Sequence, residues 1–527
     1  SKLRDLAGFG EKSEQNILKA VETFKKGSGR FLISDVEAAA KEIADHIKKA
    51  GKVVESITPA GSLRRGKETV GDLDLLVTMA EEKSESPNRQ DVIDTVAKHI
   101  LTYPRIDQVL AHGENKVSFT LSSGLQVDVR LLEKENFGAA LLYFTGSKEH
   151  NVRLRGRAND MGWTLNEYEM ATLDKTAADK NAEQKVEERP TKSAGAKINV
   201  SLGNKLKAGE AKKSEKKPNA KAAPAKPASA PAPASTGVRI ASRTEEEIYS
   251  KLGLDYVPPE LRENTGEIEA AEKHKLPKLV ELRDIKGDLQ MHTTASDGKN
   301  SIEEMATAAK ALGHEYIAIT DHSKAVTVAN GLDDKRMAEH IKNLRAADAK
   351  GLGIRVLVGS EVDILKNGKL DYSDEILAQL DVTVCSIHSY FNLERAEMTD
   401  RMLAAIENRY TQIIGHPTGR LLLRRDELAY DMEKILDACA KFGVAMECNS
   451  YPDRLDLKDV YLRMCKEKGV KVVISTDSHT TTNLAFIRYG VTVARRGWLE
   501  KKDVINTLPV ADFLASLRPK KAASQRG

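Results

Sequence analysis

From Lys175 to Gly237 the chain is built mainly of Ala, Lys, Pro, Ser and Glu, and residues 222–234 hold little besides Ala, Pro and Lys. Such a segment cannot bury enough apolar surface to offset the entropy of ordering it, so residues 175–237 read as a disordered linker. Folded structure must lie on either side. The tract carries 14 Lys/Arg and 6 Asp/Glu, a local +8 in a chain of formal net charge +4, so the rest sums to about −4. The excess charge sits in a tail-like segment rather than on a folded face.

A length of 527 residues predicts roughly three or four domains. Hydrophobic residues make up 40%, enough for most of the chain to bury cores. The four cysteines, Cys385, Cys439, Cys448 and Cys465, form no Cys-x-x-Cys pair, which predicts a reducing, intracellular setting without a disulfide framework. No apolar run approaches a membrane span and no signal peptide is visible. The chain starts at Ser1 without an initiator Met and reads as a trimmed product.

Ahead of the linker, residues 61–77 read Gly-Ser-Leu-Arg-Arg-Gly-Lys-Glu-Thr-Val-Gly-Asp-Leu-Asp-Leu-Leu-Val. Leu73 to Val77 is a strand pattern, so Asp72 and Asp74 fall on one face. Two carboxylates there suit a hard cation such as Mg²⁺. Gly61, Ser62, Arg64 and Arg65 just upstream offer a close-approaching backbone, a hydroxyl and two positive charges, a phosphate-binding set beside a metal-binding set. The alternative is a solvated turn before a core strand.

Around this stretch, residues 1–30 read as helix, Gly8-Phe9-Gly10 hairpin, helix, a shape that presents backbone N–H groups to an anion, or else as an ordinary αα-turn. Helices are expected over 34–50 and 90–101, and strands over 53–57, 116–121 and 125–132. Asp128 lies inside the last strand, between Val127 and Val129. A buried Asp costs folding energy unless paired or metal-bound, so it is a candidate third carboxylate. Then come Tyr143-Phe144-Thr145-Gly146-Ser147 and a helix carrying Arg153, Arg155 and Arg157.

The order Gly-Ser-x-Arg-Arg, Gly-Asp-x-Asp, Val-Asp-Val-Arg, Tyr-Phe-Thr-Gly-Ser resembles the family X DNA polymerases, relatives of DNA polymerase beta, over about residues 1–170. The resemblance implies a helix-hairpin-helix over 1–33 that grips DNA through Gly8 and Gly10, a nucleotidyltransferase palm over 34–134 and a thumb-type subdomain over 135–174. Asp72, Asp74 and Asp128 would be catalytic and hold two Mg²⁺ ions. Gly61, Ser62, Arg65 and Gly71 would bind the incoming dNTP's phosphates. Tyr143, Phe144 and Gly146 would lie along its sugar, Asn151 would approach the base, and Arg155 would meet the template. On this reading the linker is a basic tether for DNA or a plain spacer. Residues 238–284 fit a connector found in bacterial members.

After Asp284, short apolar strands alternate with helices, which predicts a parallel barrel with its site at the strands' C-terminal ends. The strands expected over 316–320, 356–359, 382–387, 412–414, 445–447 and 472–475 are followed or ended by suspicious residues. His292, Asp297, His322, Glu361, His388, His416, Asp477 and His479 form a mixed imidazole and carboxylate set. Such a set suits Zn²⁺, Mn²⁺ or Fe more than Mg²⁺ and is large enough for two or three ions. Arg420 and Asn449 are further polar candidates.

These motifs resemble the polymerase and histidinol phosphatase (PHP) domain over about 285–520. That implies a distorted (β/α)7 barrel with Mn²⁺- or Zn²⁺-dependent 3′→5′ exonuclease activity, sometimes joined by abasic-site endonuclease or 3′-phosphatase activity. The family's first motif is His-x-His, whereas this chain has Gln290-Met291-His292, and a Gln amide is the weaker ligand. The whole reads as a multidomain α/β DNA repair polymerase that fills gaps and trims 3′ ends. Its expected partners are gapped or primer-template DNA and dNTPs, with no membrane, as a cytoplasmic, nucleoid-associated monomer. The alternatives are a polymerase with a structural, weakly active PHP domain, or a histidinol-phosphatase-like enzyme with a DNA-binding N-terminal half. No nucleophile for a lyase activity can be assigned.

Overall fold

The computed structural model describes residues 29–80, 89–173 and 237–520. The helix-hairpin-helix expectation, with Gly8 and Gly10, and nearly all of the 175–237 linker lie outside these residues. Among the described residues no helix is long and apolar enough to cross a membrane.

The first unit is a five-stranded sheet in the order β1-β2-β5-β4-β3, from β1 (Val54–Pro59), β2 (Asp72–Met79), β3 (Ile106–Gly113), β4 (Lys116–Leu121) and β5 (Gln126–Leu132). Only β2 and β5 run parallel, at the sheet's centre. Helix α1 (Ile33–Lys48) buries Ile33, Val36, Ala40, Ile43 and Ile47, a stripe at helical spacing. Helix α2 (Arg89–Ile100) packs with it, so one face of the sheet is covered and the other carries the polar side chains of β2 and β5.

Helices α3 (Phe137–Thr145) and α4 (Lys148–Asp160) follow, then the antiparallel strands β6 (Trp163–Leu165) and β7 (Met170–Thr172). The third strand of that sheet, β8 (Arg239–Ala241), comes from beyond the linker. The chain leaves the sheet after β7 and returns to it at Gly237, where a Cβ would sit 1.8 Å from the Thr172 carbonyl oxygen. Residues 239–241, expected in the 238–284 connector, pair into this sheet. Helix α5 (Glu245–Lys251) then packs on α3, where Gly138 leaves no room for a side chain against the backbone of Thr244.

The three-stranded unit is fixed to the five-stranded one by a buried charge cluster. Arg64 and Arg262 each grip Glu245 through two nitrogens, at 2.6–3.1 Å. Burial would raise the Glu245 pKa, but the two guanidinium groups outweigh it and hold it at about 2. Arg64, read from sequence as one of two positive charges in a phosphate-binding set, is paired within the fold to Glu245.

The third unit is a seven-stranded, all-parallel sheet in sequential order: β9 (Gly287–Asp288), β10 (Tyr316–Ile319), β11 (Arg355–Asp363), β12 (Val382–Ser386), β13 (Ile413–Ile414), β14 (Ala445–Asn449) and β15 (Val472–Ser475). The two ends nearly close. Met291 bridges Ser478, and Asp288 accepts from the Thr476 amide at 3.1 Å. The strands are buried almost throughout, as parallel strands covered by helices must be. Palm and barrel share packing: Ile33 belongs to the barrel's core cluster, and Glu68 of the palm pairs with Arg420 of the barrel at 2.6 Å.

Candidate active sites

Along β5, and over the first four residues of β2, half-exposed and buried residues alternate. Leu73, Leu75, Val127 and Val129 point into the core. Asp72, Asp74, Gln126, Asp128 and Arg130 therefore share the other face. Asp74 stands directly opposite Asp128 in the parallel register, and Asp72 opposite Gln126. The Asp128 carboxylate accepts from Lys116 Nζ at 2.9 Å and from Gln126 Nε2 at 3.3 Å. Burial pushes its pKa up, but the neighbouring Ser118, Lys116 and Gln126 outweigh it and keep it below the usual value. Three carboxylates on one face fit a hard, oxygen-seeking cation. Among the described residues, sets of three or more ligand side chains with atoms within 4.8 Å of one another occur only in the barrel. The palm carboxylates, with Asp128 held by Lys116, are not drawn together that closely.

Gly61 has φ +61°, and a Cβ there would lie 2.5 Å from Asp74 Oδ2. Only glycine lets the turn sit against the carboxylate. Gly61→Ala should displace Asp74 and weaken cation binding on this face about 100-fold. Titration of Mg²⁺ or Mn²⁺ binding in the two proteins checks this.

Ser62 lies in the short helical turn Gly61–Arg64, which Arg65 ends. Arg65 Nε donates to Glu263 Oε1 at 3.0 Å and Nη1 to the Thr145 carbonyl oxygen. A Cβ on Gly146 would approach Arg65 Nη1 to 3.1 Å. Gly71 makes no comparable demand, since a Cβ there would meet nothing closer than 3.6 Å. Tyr143 and Phe144 end helix α3 with their rings edge to face, and Arg130 lies over Phe144 at 4.1 Å. Asn151 Nδ2 donates to the Tyr143 carbonyl oxygen at 2.7 Å. Tyr143, Asn151 and Arg155 line one small cleft with Leu142 and Leu165. The structure thus brings Gly61 against Asp74 and Phe144 under Arg130 on the β2–β5 face, and lines a separate group of residues, Tyr143, Asn151 and Arg155, along one cleft.

The second site is at the C-terminal ends of the barrel strands. Glu361, fully buried near the end of β11, has four imidazoles around its carboxylate. His416 Nε2 lies 2.8 Å away, His322 Nδ1 3.2 Å, His388 Nε2 3.3 Å and His292 Nε2 3.5 Å. Yet both Glu361 oxygens lack a hydrogen-bond partner, as do the Nδ1 atoms of His292, His322 and His416. Buried donors and acceptors are normally satisfied. Lone pairs crowded together without hydrogen bonds are the arrangement of a metal-ligand set, and the donors present fit one.

Three groups of ligand atoms converge: His292, Asp297, His322 and His479; His322, Glu361 and His388; and His292, Glu361 and Asp477. His416 joins through Glu361. Burial, aided by neighbouring His292, lowers the His322 pKa to about 3 and so keeps its ring neutral, as a ligand must be. Burial disfavours charge on His388, but Glu361 and Asp363 outweigh it and raise its pKa to about 9. Two of these residues, His416 (φ +23°) and Asp477 (φ +55°), have the left-handed backbone that non-glycine residues rarely adopt. Such strain is typical of functional sites.

The sequence reading missed several supports. Asp363 accepts from His388 Nδ1 at 3.0 Å, orienting that ring so that Nε2 faces Glu361. Its two-residue spacing from Glu361 on one strand was an available signal. Asp321 is buried between Thr293, Ser296 and His340, the last at 2.9 Å. Glu447 is buried, with one oxygen unpartnered. Arg454 Nε lies 3.3 Å from Asp477. Asn449 does support the site, donating to Asp477 at 3.2 Å. Arg420, by contrast, is held between Glu68 and the backbone of Arg454 and Leu455, so it serves the palm–barrel contact. Gln290 is fully buried, and neither of its amide atoms has a partner.

Three family models match the chain: the DNA polymerase beta palm over residues 33–129, the DNA polymerase beta thumb over 140–263 and the PHP domain over 288–451. The thumb match spans the linker, in agreement with the strand pairing of β7 and β8. Among curated proteins, the chain is 36% identical over 519 residues to the DNA polymerase/3′-5′ exonuclease PolX of Bacillus subtilis, covering 98% of this chain and 78% of that one. A probable phosphatase of Acetivibrio thermocellus is 32% identical over 201 residues, 36% of this chain and 78% of that protein. Among solved structures, a ternary gap complex of Leishmania infantum polymerase beta matches 50% of this chain and 78% of that one at 21% identity and a TM-score of 0.32.

Proposed function

The chain belongs to the family X DNA polymerases of PolX type, which join a polymerase beta-like palm and thumb to a PHP domain, and we propose that its two sites run opposite reactions on one DNA end. It is a DNA polymerase with a PHP-domain 3′→5′ exonuclease. The observation that carries the division of labour is that one chain holds two ligand sets of different chemistry. One contains only oxygen donors, and the other mixes imidazole and carboxylate.

In the palm, Asp72, Asp74 and Asp128 would hold two Mg²⁺ ions. Bound there, such ions lower the pKa of a primer 3′-hydroxyl and stabilise leaving pyrophosphate. Ser62, Arg65 and the backbone at Gly61 and Gly71 bind the dNTP's phosphates. Tyr143, Phe144 and Gly146 border its sugar, Asn151 its base, and Arg155 the template. The substrate is gapped or primer-template DNA, bound by a monomer in the cytoplasm near the nucleoid. The supports are the shared face of the carboxylates, the clearance Gly61 gives Asp74 and the common cleft of Tyr143, Asn151 and Arg155.

In the barrel, His292, Asp297, His322, Glu361, His388, His416, Asp477 and His479 would hold two or three Mn²⁺ or Zn²⁺ ions. Such ions supply an activated water and a clamp on the scissile phosphate. Asp363 fixes the His388 tautomer, and Arg454 adds positive charge beside Asp477. The paired test is gap filling and 3′ resection of a single labelled substrate, comparing wild type with His322→Ala. No Mn²⁺-dependent shortening by wild type would sink the exonuclease assignment to this site.

A weakly active barrel is a second reading, favoured by the unpartnered amide of Gln290 where an imidazole is expected. An amide there supplies a weak neutral ligand. Gln290→His should raise both bound metal and the resection rate about tenfold, the scale on which changes around a metal site act. Metal content after dialysis and Mn²⁺ titration of resection measure it.

A further inference from the structure

Arg65 is not free to meet a phosphate. Its Nε is bound to Glu263 Oε1, and its side chain is 14% exposed. The same Glu263 oxygen also receives Arg496 Nη1 at 3.1 Å, with Lys67 Nζ at 3.9 Å. Arg496 comes from the end of the barrel helix α6 (Ile487–Arg496) and is almost wholly buried. Its Nη1 also donates to the Arg65 carbonyl oxygen at 2.7 Å, and its Nη2 to Asp459 at 2.6 Å. The next palm residue, Gly66, lies flat on this helix, since a Cβ there would come within 2.1 Å of Thr492 Cγ2. A barrel side chain therefore holds both the backbone of Arg65 and the partner of its guanidinium.

We propose that Glu263 and Arg496 gate the triphosphate grip: Glu263 restrains Arg65 until an incoming nucleotide's phosphates take it, and Arg496 keeps the released carboxylate paired. This rests on the reading of Arg65 as a phosphate contact. A triphosphate carries several negative charges and wins a guanidinium from a single carboxylate. A half-buried carboxylate left alone would be costly. Here it retains Arg496 and Lys67, so the exchange leaves no uncompensated charge. Burial raises the Glu263 pKa, but Arg496, Arg65 and Lys67 outweigh it and hold it below the usual carboxylate value. Both are positioning residues, and one belongs to the exonuclease domain.

The two variants should move nucleotide affinity in opposite directions. On gapped DNA with the full chain, Glu263→Gln should lower the dNTP KM about fivefold, and Arg496→Ala should raise it about tenfold, with kcat little changed in either. In the Glu263→Gln background, Arg496→Ala should no longer raise KM, because no carboxylate is left to tighten on Arg65. Arg496→Lys should fall between, and 3′ resection should be unaffected throughout. An equal rise in both backgrounds would make Arg496 merely structural and overturn the gate, as would an unchanged KM in Glu263→Gln. Should Arg496→Ala fail to fold, judged by its melting curve, Glu263→Gln and Arg496→Lys decide the question. Arg65→Ala separates the underlying reading. If its KM is unchanged, the phosphate contact and the gate fall together, and if its KM rises while Glu263→Gln does nothing, the gate alone falls.

Discussion

In the Asp128→Ala protein, incorporation of a nucleotide into gapped DNA is expected to fall about 10³-fold or more, while Mn²⁺-dependent 3′ resection stays at the wild-type rate. The size follows from position. Asp74 and Asp128 are direct neighbours across the central parallel pair, and Asp72 is one same-face step away, so Asp128 is one of the three carboxylates that would share the cations. Removing Asp128 also leaves Lys116, now 2.9 Å from that carboxylate, as an unopposed positive charge where a cation must bind. Stability should change little, because Asp128 is partly exposed and such pairs contribute about 0–1 kcal/mol. Single-turnover extension, resection and a melting curve on one preparation test all three statements. A loss of polymerisation below tenfold would remove Asp128 from the metal set. Loss of both activities together would mean the two sites are not separate.

How much of this was legible follows from the range of each interaction. Strands β4 and β15 match the expected bounds, and β2, β5 and β10 differ by a residue or two at their ends, because a short run of apolar and β-branched residues is written locally. The Asp-x-Asp pair and the strand-end histidines were visible for the same reason: facing is fixed by position along one strand. Strand β3 was not found, since it lies at the sheet edge with nearly every residue exposed and so carries no apolar alternation. The pairing of β7 with β8 joins residues on either side of a tract of more than sixty residues, and composition alone sees only the interruption. The roles of the arginines were the least legible. Arg64, Arg65 and Arg420 look alike in sequence, yet the first is locked to Glu245, the second to Glu263 and the third to Glu68. Each partner lies far away in the chain, and a guanidinium's role is decided by that partner.

The largest effect in the barrel should come from Glu361→Gln. Resection is expected to drop by about 10³-fold or more and bound metal to fall, with gap filling retained. Glu361 is in contact with four imidazoles, and its two oxygens serve different neighbours: Oε1 faces His388 and His416, and Oε2 faces His292 and His322. A carboxylate so placed can bridge two cations, which a neutral amide of the same shape cannot do, since one end carries N–H donors aimed at ligand lone pairs. The substitution keeps volume and burial, so a stable fold with lost metal is the expected outcome. The control is His340→Ala. It removes a partner of buried Asp321, which accepts from Ser296 and Thr293 beside His292, and so should weaken metal binding less than Glu361→Gln does. Metal stoichiometry after gel filtration, measured beside resection and extension, reads the difference directly. Full metal content in Glu361→Gln would refute the bridging role. Full metal content with resection abolished would move Glu361 from holding the ions to handling the attacking water.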